Sequence, residues 1–202
     1  MKLYYSSGAC SMAPHIVLRE IGKKFDLEKV DLGTKKTGAG KDFNKINPKG
    51  YVPALEIKKG EMLTECAVIM QYLADKAKAV KLVGKAGSVA RYRTMEWLNF
   101  IAAELHKSMG ALFNKALSDD ARKTAEERVS KRLDYLDKHL AANKFITGKG
   151  FTVADAYAFT ILNWGQWVGV DISKWKNLAA YAVRIAARPA VQATLKAEGL
   201  LG

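Results

Sequence analysis

Chemistry in this sequence can begin at a few polar residues placed where apolar runs start or stop. Cys10 stands in Ser7-Gly8-Ala9-Cys10-Ser11, between a strand-like start at Lys2 to Tyr5 and a helix-like run. In an open α/β layer, ligands bind at the carboxyl ends of strands. A helix N-terminus also favours a thiolate through its dipole and N–H groups. The position suits a reactive sulfur, and equally a small buried hydrophobe. Thr64-Glu65-Cys66 lies at a second strand-to-helix junction. Such a helix end suits a carboxylate, and Glu65 suits an ammonium, so together they match the zwitterionic end of an amino acid. The alternative is a plain helix start, with Thr64 as cap and Glu65 answering the dipole. Val52-Pro53 follows a turn and opens a strand. A cis bond there would aim the Val52 backbone groups outward, as an edge an extended peptide can pair with. Only about 5–6% of X–Pro bonds in folded proteins are cis.

Asn99 and His106 are seven residues apart on a long helical pattern. Two α-helical turns would put both on one face, with Ala103 between them and Gly110 beyond. A lone helical histidine is more often a satisfied structural residue than a catalyst. Thr152-Val153-Ala154-Asp155 is a capping signature before an apolar run, with Phe151 and Ala156 at the staple positions. Loss of that cap should cost about 1 kcal/mol. Trp164 and Trp167 read as core more readily than as a ligand wall.

These residues need an α/β part followed by an all-helical part to position them. Ile16, Val17, Leu18 and Ile21 give a helical stripe stopped by Gly22, and Pro14 sits where a first turn tolerates it. Phe25, Leu27 and Val30 alternate as a strand, and Gly33 to Gly40 reads as a loop. Asn47-Pro48-Lys49-Gly50 is a turn, and Lys59-Gly60 joins two strands before a helix that carries Val68, Ile69, Tyr72 and Leu73. The predicted division is residues 1–78 as an α/β domain, 79–87 as a linker and 88–202 as an all-helical domain. Within the last, helical patterns run from Ser88 to Lys115, Arg122 to Leu140, Ala154 to Val168, Ala179 to Ala187 and Val191 to Glu198. The third is apolar enough to be a buried central helix.

Composition excludes more than it specifies. The 202 residues suffice for one large or two small domains with a real core. No apolar run approaches the roughly 20 residues of a membrane span, and no membrane partner is expected. The N-terminus lacks an apolar core of signal-peptide length and is read as the mature start of a cytoplasmic protein. Two cysteines make no disulfide framework. The three histidines, His15, His106 and His139, have no metal spacing, so no metal is expected. The net charge of +13 favours anionic partners. Nucleic acid is not expected, because 20 acidic residues are interspersed and no basic block carries aromatics.

In order, these stretches resemble the glutathione transferases, and the bacterial beta class in particular, over essentially the full length. The resemblance rests on Lys2-Leu3-Tyr4-Tyr5, Gly8-Ala9-Cys10-Ser11, Asn47-Pro48-Lys49-Gly50-Tyr51-Val52-Pro53-Ala54-Leu55 and Leu63-Thr64-Glu65. It continues through Ile69-Met70-Gln71-Tyr72-Leu73-Ala74-Asp75, Glu96-Trp97-Leu98-Asn99-Phe100-Ile101, Glu104-Leu105-His106-Lys107, Phe151 to Tyr157 and Arg188-Pro189-Ala190-Val191-Gln192. It implies a thioredoxin-like βαβαββα domain that binds glutathione as co-substrate, and a helical domain that supplies most of the electrophile pocket. It implies a cis Val52-Pro53 bond with the Val52 backbone pairing the cysteinyl part of glutathione, and Glu65 and Cys66 holding the γ-glutamyl end. Lys35, Asn99 and His106 would complete the site, and Glu104 would reach glutathione from the neighbouring subunit of a homodimer. Cys10 would face the glutathione sulfur, able to form a mixed disulfide, with His106 orienting groups near it. Tyr5, Met109, Phe113 and Trp164 are placed near the hydrophobic pocket. Position 66 is often serine in these enzymes. Cys66, a poorer donor, leaves the backbone N–H to serve, and is expected at the opposite end of the tripeptide from Cys10. The implied activity is conjugation of glutathione to small hydrophobic electrophiles, a detoxification chemistry. Thiol–disulfide or peroxide chemistry at Cys10, and carriage of hydrophobic anions, are its rivals.

Overall fold

Alternating strand and helix signals give way to helices alone along this chain, and the structure follows that change. It is a computed structural model that describes residues 1–148 and 150–201. β1 (Lys2–Tyr5) leads to α1 (Met12–Glu20), β2 (Asp26–Asp31) and a two-residue β3 (Lys36–Thr37). Then come α2 (Phe43–Ile46), β4 (Ala54–Lys58), β5 (Glu61–Thr64) and α3 (Cys66–Lys76). The helical stretch holds α4 (Val80–Val83), α5 (Val89–Phe100), a π-helical segment (Ile101–His106), α6 (Lys107–Ala111) and α7 (Asp119–Leu140). It continues with α8 (Val153–Leu162), α9 (Gly165–Val168), a 3₁₀ turn (Ile172–Lys174), α10 (Lys176–Ala186) and α11 (Pro189–Glu198). Two compact units result: Met1–Ala79 with Arg188–Gly202, and Val80–Ala187.

The first unit is a five-stranded sheet in the order β3-β2-β1-β4-β5. β1 runs parallel to β2 and antiparallel to β4, so α1 is the crossover a parallel pair requires. β4 and β5 form the hairpin expected around Lys59-Gly60. Tyr4, Val30, Phe43, Val52 and Ala54 make a buried cluster, against which Ala9, Leu32, Ile46 and Met62 pack. That cluster fixes both the Val52 turn and the start of the Cys10 loop. The loop expected from Gly33 to Gly40 contains β3, held by pairing of Val30 with Thr37 and Asp31 with Lys36. Two residues carry no periodicity, so only the neighbouring strand selects them. α11, read from sequence as part of the helical domain, packs on α1 in this unit. The Arg188 guanidinium gives Nε and Nη2 to the two Glu20 oxygens at 2.7 and 2.9 Å, a bidentate pair.

In the second unit, every residue of α8 is buried, as its mostly apolar sequence requires. Val129, Leu133, Leu136 and Leu140 line the buried face of α7. The apolar stretch from Ala154 to Val168 is not one helix; it turns at Asn163 and Trp164. At Gly165 a side chain would collide with the Val170 carbonyl, so this close backbone approach needs glycine. The pattern from Ser88 to Lys115 is likewise divided, into α5, the π segment and α6. Ser88 accepts from Arg91 N–H at 3.2 Å and caps its start.

The capping signature before α8 is deeper than a cap. Asp155 is fully buried and accepts from Thr152 N–H at 2.8 Å, Thr152 Oγ1 at 3.0 Å, Ile146 N–H at 2.8 Å and Tyr181 Oη at 3.1 Å. Burial pushes its carboxyl up to about 6 in spite of the four donors, which act to lower it.

Candidate functional site

In the first unit the candidate residues gather around two loops and one helix start. β1 ends at Tyr5, and Ser11 Oγ ties the loop back by accepting from Ser6 N–H at 3.1 Å. Glu198 of α11 reaches the same loop. Its Oε2 accepts from Gly8 N–H at 2.9 Å, and its Oε1 lies 2.8 Å from His15 Nδ1. Arg19 Nε donates to His15 Nε2 at 3.0 Å. Arginine can only donate, so Nε2 is the acceptor and the imidazole proton sits on Nδ1, pointing at Glu198. Both side chains of the His15–Glu198 pair are fully buried. The loop carrying Cys10 is therefore held rigidly from behind.

Cys10 lies at the end of this support. Its Sγ is 3.2 Å from the Val52 carbonyl, across the mouth of the cis Val52-Pro53 turn. The cysteine expected to handle sulfur and the backbone edge expected to pair a peptide are thus side by side. Cys66 is close as well, with its thiol donating to the Cys10 carbonyl at 3.3 Å. The two cysteines, expected at opposite ends of a bound tripeptide, thus meet through a backbone carbonyl. Both remain thiols.

Glu65 precedes α3 at φ +70°, a left-handed backbone that a glutamate adopts only under strain. It makes no side-chain cap, and Thr64 ends β5 instead of capping the helix. The plain-cap reading of this junction does not hold. The Glu65 carboxylate leans over the preceding turn, where its Oε1 takes Lys49 Nζ at 2.7 Å and Tyr51 Oη at 2.9 Å. The hydrogen bond to Glu65 is the main reason the Lys49 ammonium and the Tyr51 phenol both titrate above their usual values. Lys35 points into the same turn, donating to the Gly50 carbonyl at 2.8 Å. Gly50 has φ +68°, a left-handed backbone that favours glycine.

In the helical unit, the seven-residue spacing of Asn99 and His106 does not put them on one face. The π segment takes more residues per turn than an α-helix, so the phase slips between them. Asn99 and Ala103 are exposed, whereas His106 is half-buried and turned to α8. His106 Nδ1 is 2.7 Å from Tyr157 Oη, and the Trp164 ring crosses it edge-on at 4.9 Å. Phe113 meets Trp164 at 5.3 Å, also edge-on, so His106, Trp164 and Phe113 form an aromatic row. Met109 is fully buried and belongs to the core. The Glu104 carboxylate, expected to serve a neighbouring subunit, is taken by Nε and Nη2 of Arg132 at 2.7 and 2.6 Å. Among the described residues, no three His, Cys, Asp or Glu side chains are grouped to hold a metal ion.

Comparison with known proteins matches both halves. The family described as Glutathione S-transferase, N-terminal domain, matches residues 8–76, and Glutathione S-transferase, C-terminal domain, matches residues 100–189. The chain belongs to the glutathione S-transferase family. The glutathione S-transferase GstA of Escherichia coli O157:H7 is 46% identical over 200 residues, covering 99% of this chain and 100% of that protein. A sphingomonad glutathione S-transferase solved in complex with glutathione is 49% identical, with a TM-score of 0.95 and full coverage of both chains. A bacterial beta-class enzyme from Sphingomonas chungbukensis is 47% identical with the same TM-score, again covering both chains fully. The chain is thus a beta-class glutathione transferase, an enzyme with a thioredoxin-like first domain and a helical second domain.

Four partners of the candidate residues were missed by sequence reasoning. Tyr157 carried a faint signal, since a tyrosine inside a buried helix needs a partner for its hydroxyl. Lys49 and Tyr51 lie in and just after the Asn47–Gly50 turn, where the sequence shows no target for them. Glu198 had none either, because its partners lie 183 and 190 residues away.

Proposed function

We propose that this transferase conjugates reduced glutathione to small hydrophobic electrophiles, as a homodimeric detoxification enzyme of the cytoplasm. Glutathione is its co-substrate and no metal takes part. The observation that carries the reading is the 3.2 Å approach of Cys10 Sγ to the Val52 carbonyl. A tripeptide pairing its cysteinyl backbone with Val52, beside Pro53, would bring its sulfur to Cys10. Glu65 and Cys66 lie at the start of α3 and would receive the γ-glutamyl end, and Lys35, on the Gly50 turn, would help to complete the site. Asn99, His106 and a neighbouring subunit's copy of Glu104 would complete glutathione binding. The glutathione thiolate then attacks an electrophilic carbon and displaces its leaving group. Donors around the sulfur favour the thiolate over the thiol. Tyr5, Phe113 and Trp164 would line the electrophile pocket; Met109, being buried, would support it from behind.

A steady-state assay of conjugation to a chlorodinitrobenzene-type aryl halide, with reduced protein and a no-enzyme blank, tests this. A saturable rate is expected, and no rate above blank from folded protein would reject it. The position of the Cys10 thiol favours a second activity, thiol–disulfide exchange through a Cys10–glutathione mixed disulfide. Cys10→Ser should then lose disulfide exchange while keeping conjugation. Loss of neither would reject the redox role, and tight binding of hydrophobic anions without any turnover would point to carriage instead.

A further inference from the structure

Lys49 is not among the residues placed on glutathione above, yet it occupies the very group that glutathione needs. A carboxylate oxygen offers two lone pairs. Oε1 of Glu65 has Lys49 Nζ at 2.7 Å and Tyr51 Oη at 2.9 Å, so both are taken, and Lys49 is further steadied by Thr64 Oγ1 at 2.9 Å. We propose that Lys49 is an internal competitor for the ammonium that Glu65 receives from glutathione, and that it sets how strongly the enzyme demands that ammonium. The proposal rests on the reading that Glu65 is the ammonium's partner. Two cations on one carboxylate repel each other, whichever of its two oxygens each takes. Either Lys49 leaves or the incoming ammonium is held less well. Leaving is easy: the lysine and glutamate side chains are 47% and 54% exposed, and the ammonium rides on a flexible stem. The backbone at φ +70° fixes where the Glu65 side chain starts independently of Lys49.

The opposite role, Lys49 as the group that orients Glu65 for its ligand, makes a prediction of opposite sign. The test is the ratio of two affinities, measured by titration calorimetry on the full chain. One ligand is reduced glutathione. The other is glutaryl-cysteinylglycine, which lacks only the amino group. In Lys49→Met, the preference for glutathione over the deaminated analogue should rise about two- to fivefold, and the rise should shrink at high salt. An unchanged ratio, or a lower one, overturns the proposal, the lower one in favour of orientation. Glu65→Gln checks the reading beneath it: the ratio should fall towards one. If Glu65→Gln keeps the parent's ratio, the ammonium binds elsewhere and that reading fails, whatever Lys49→Met shows. If Glu65→Gln collapses the ratio and Lys49→Met does not raise it, only the competitor is rejected.

Discussion

The helix starts at Asp155 and Glu65 place the same chemistry, a carboxylate beside the first turn, in opposite circumstances. At α8 the carboxylate is buried, turned inward and saturated by four donors from three segments of chain. At α3 the carboxylate is half exposed, makes no cap, stands on a left-handed backbone, and is met by side chains of the preceding turn. The first arrangement leaves nothing for a ligand to take. The second keeps its groups at the surface on a strained residue, the condition in which binding sites are commonly found. The difference is one of accounting for polar groups: structure closes them among themselves, and a binding site leaves them exchangeable.

Removing the inward carboxylate should show the larger effect. Asp155→Ala leaves Ile146 N–H and Thr152 N–H without their acceptor in a dry interior and Tyr181 Oη with only the residue-155 carbonyl at 3.4 Å, and should lower stability by about 3–5 kcal/mol. A urea midpoint close to the parent's would mean that the unit repacks and that the two helix starts do not differ in this way. This exceeds the loss of about 1 kcal/mol expected of a cap alone.

The next effect is on pH dependence. The folded protein keeps the Asp155 proton up to about pH 6, whereas the unfolded chain releases it near its ordinary value of 3.8. Between those values the folded state holds more protons, so this group's contribution falls as pH rises through the window and is constant above it. The whole change is on the order of 2–3 kcal/mol. Urea unfolding of the parent and of Asp155→Asn across pH 3.5 to 7 should show the parent losing ground to the variant between about pH 4 and 6. A difference that is constant with pH would refute it.

The smallest effect is at the other helix start. Glycine accepts a positive φ without a Cβ penalty, so Glu65→Gly should be as stable as the parent or more stable by up to about 1 kcal/mol. It should at the same time bind glutathione poorly in calorimetry. Clear destabilisation with intact binding would make Glu65 a structural residue like Asp155 and erase the comparison.

Much of this arrangement was legible because its signals are local. Gly8-Ala9-Cys10-Ser11, Val52-Pro53 and Thr64-Glu65-Cys66 each lie at a junction between elements, and residue type and order are informative there. The apolar stripe of α7 and the burial of the mostly apolar α8 were legible for the same reason, although the helix expected to reach Val168 stops at Leu162. What failed was inference across a helix and across the chain. The Asn99–His106 spacing was sound arithmetic for an α-helix, but the π segment between them changed the phase. Two-residue β3 is too short to carry a pattern, and its partner strand alone selects it. Whether Thr64 capped or Glu65 stood open could not be told from a sequence that permits both.

By itself, then, the sequence determined the order of elements, the change from α/β to helix, and which residue types would stand at each junction, since propensity, periodicity and turn chemistry act over a few residues. The tertiary structure alone decided which of those residues meet. Glu198 on His15 and Gly8, the Cys66 thiol on the Cys10 carbonyl, and Lys49 with Tyr51 on Glu65 all join segments that are distant in the chain. Hydrogen bonds and ion pairs act over about 3 Å, and only the packing of sheet, helices and turns brings such groups within that range.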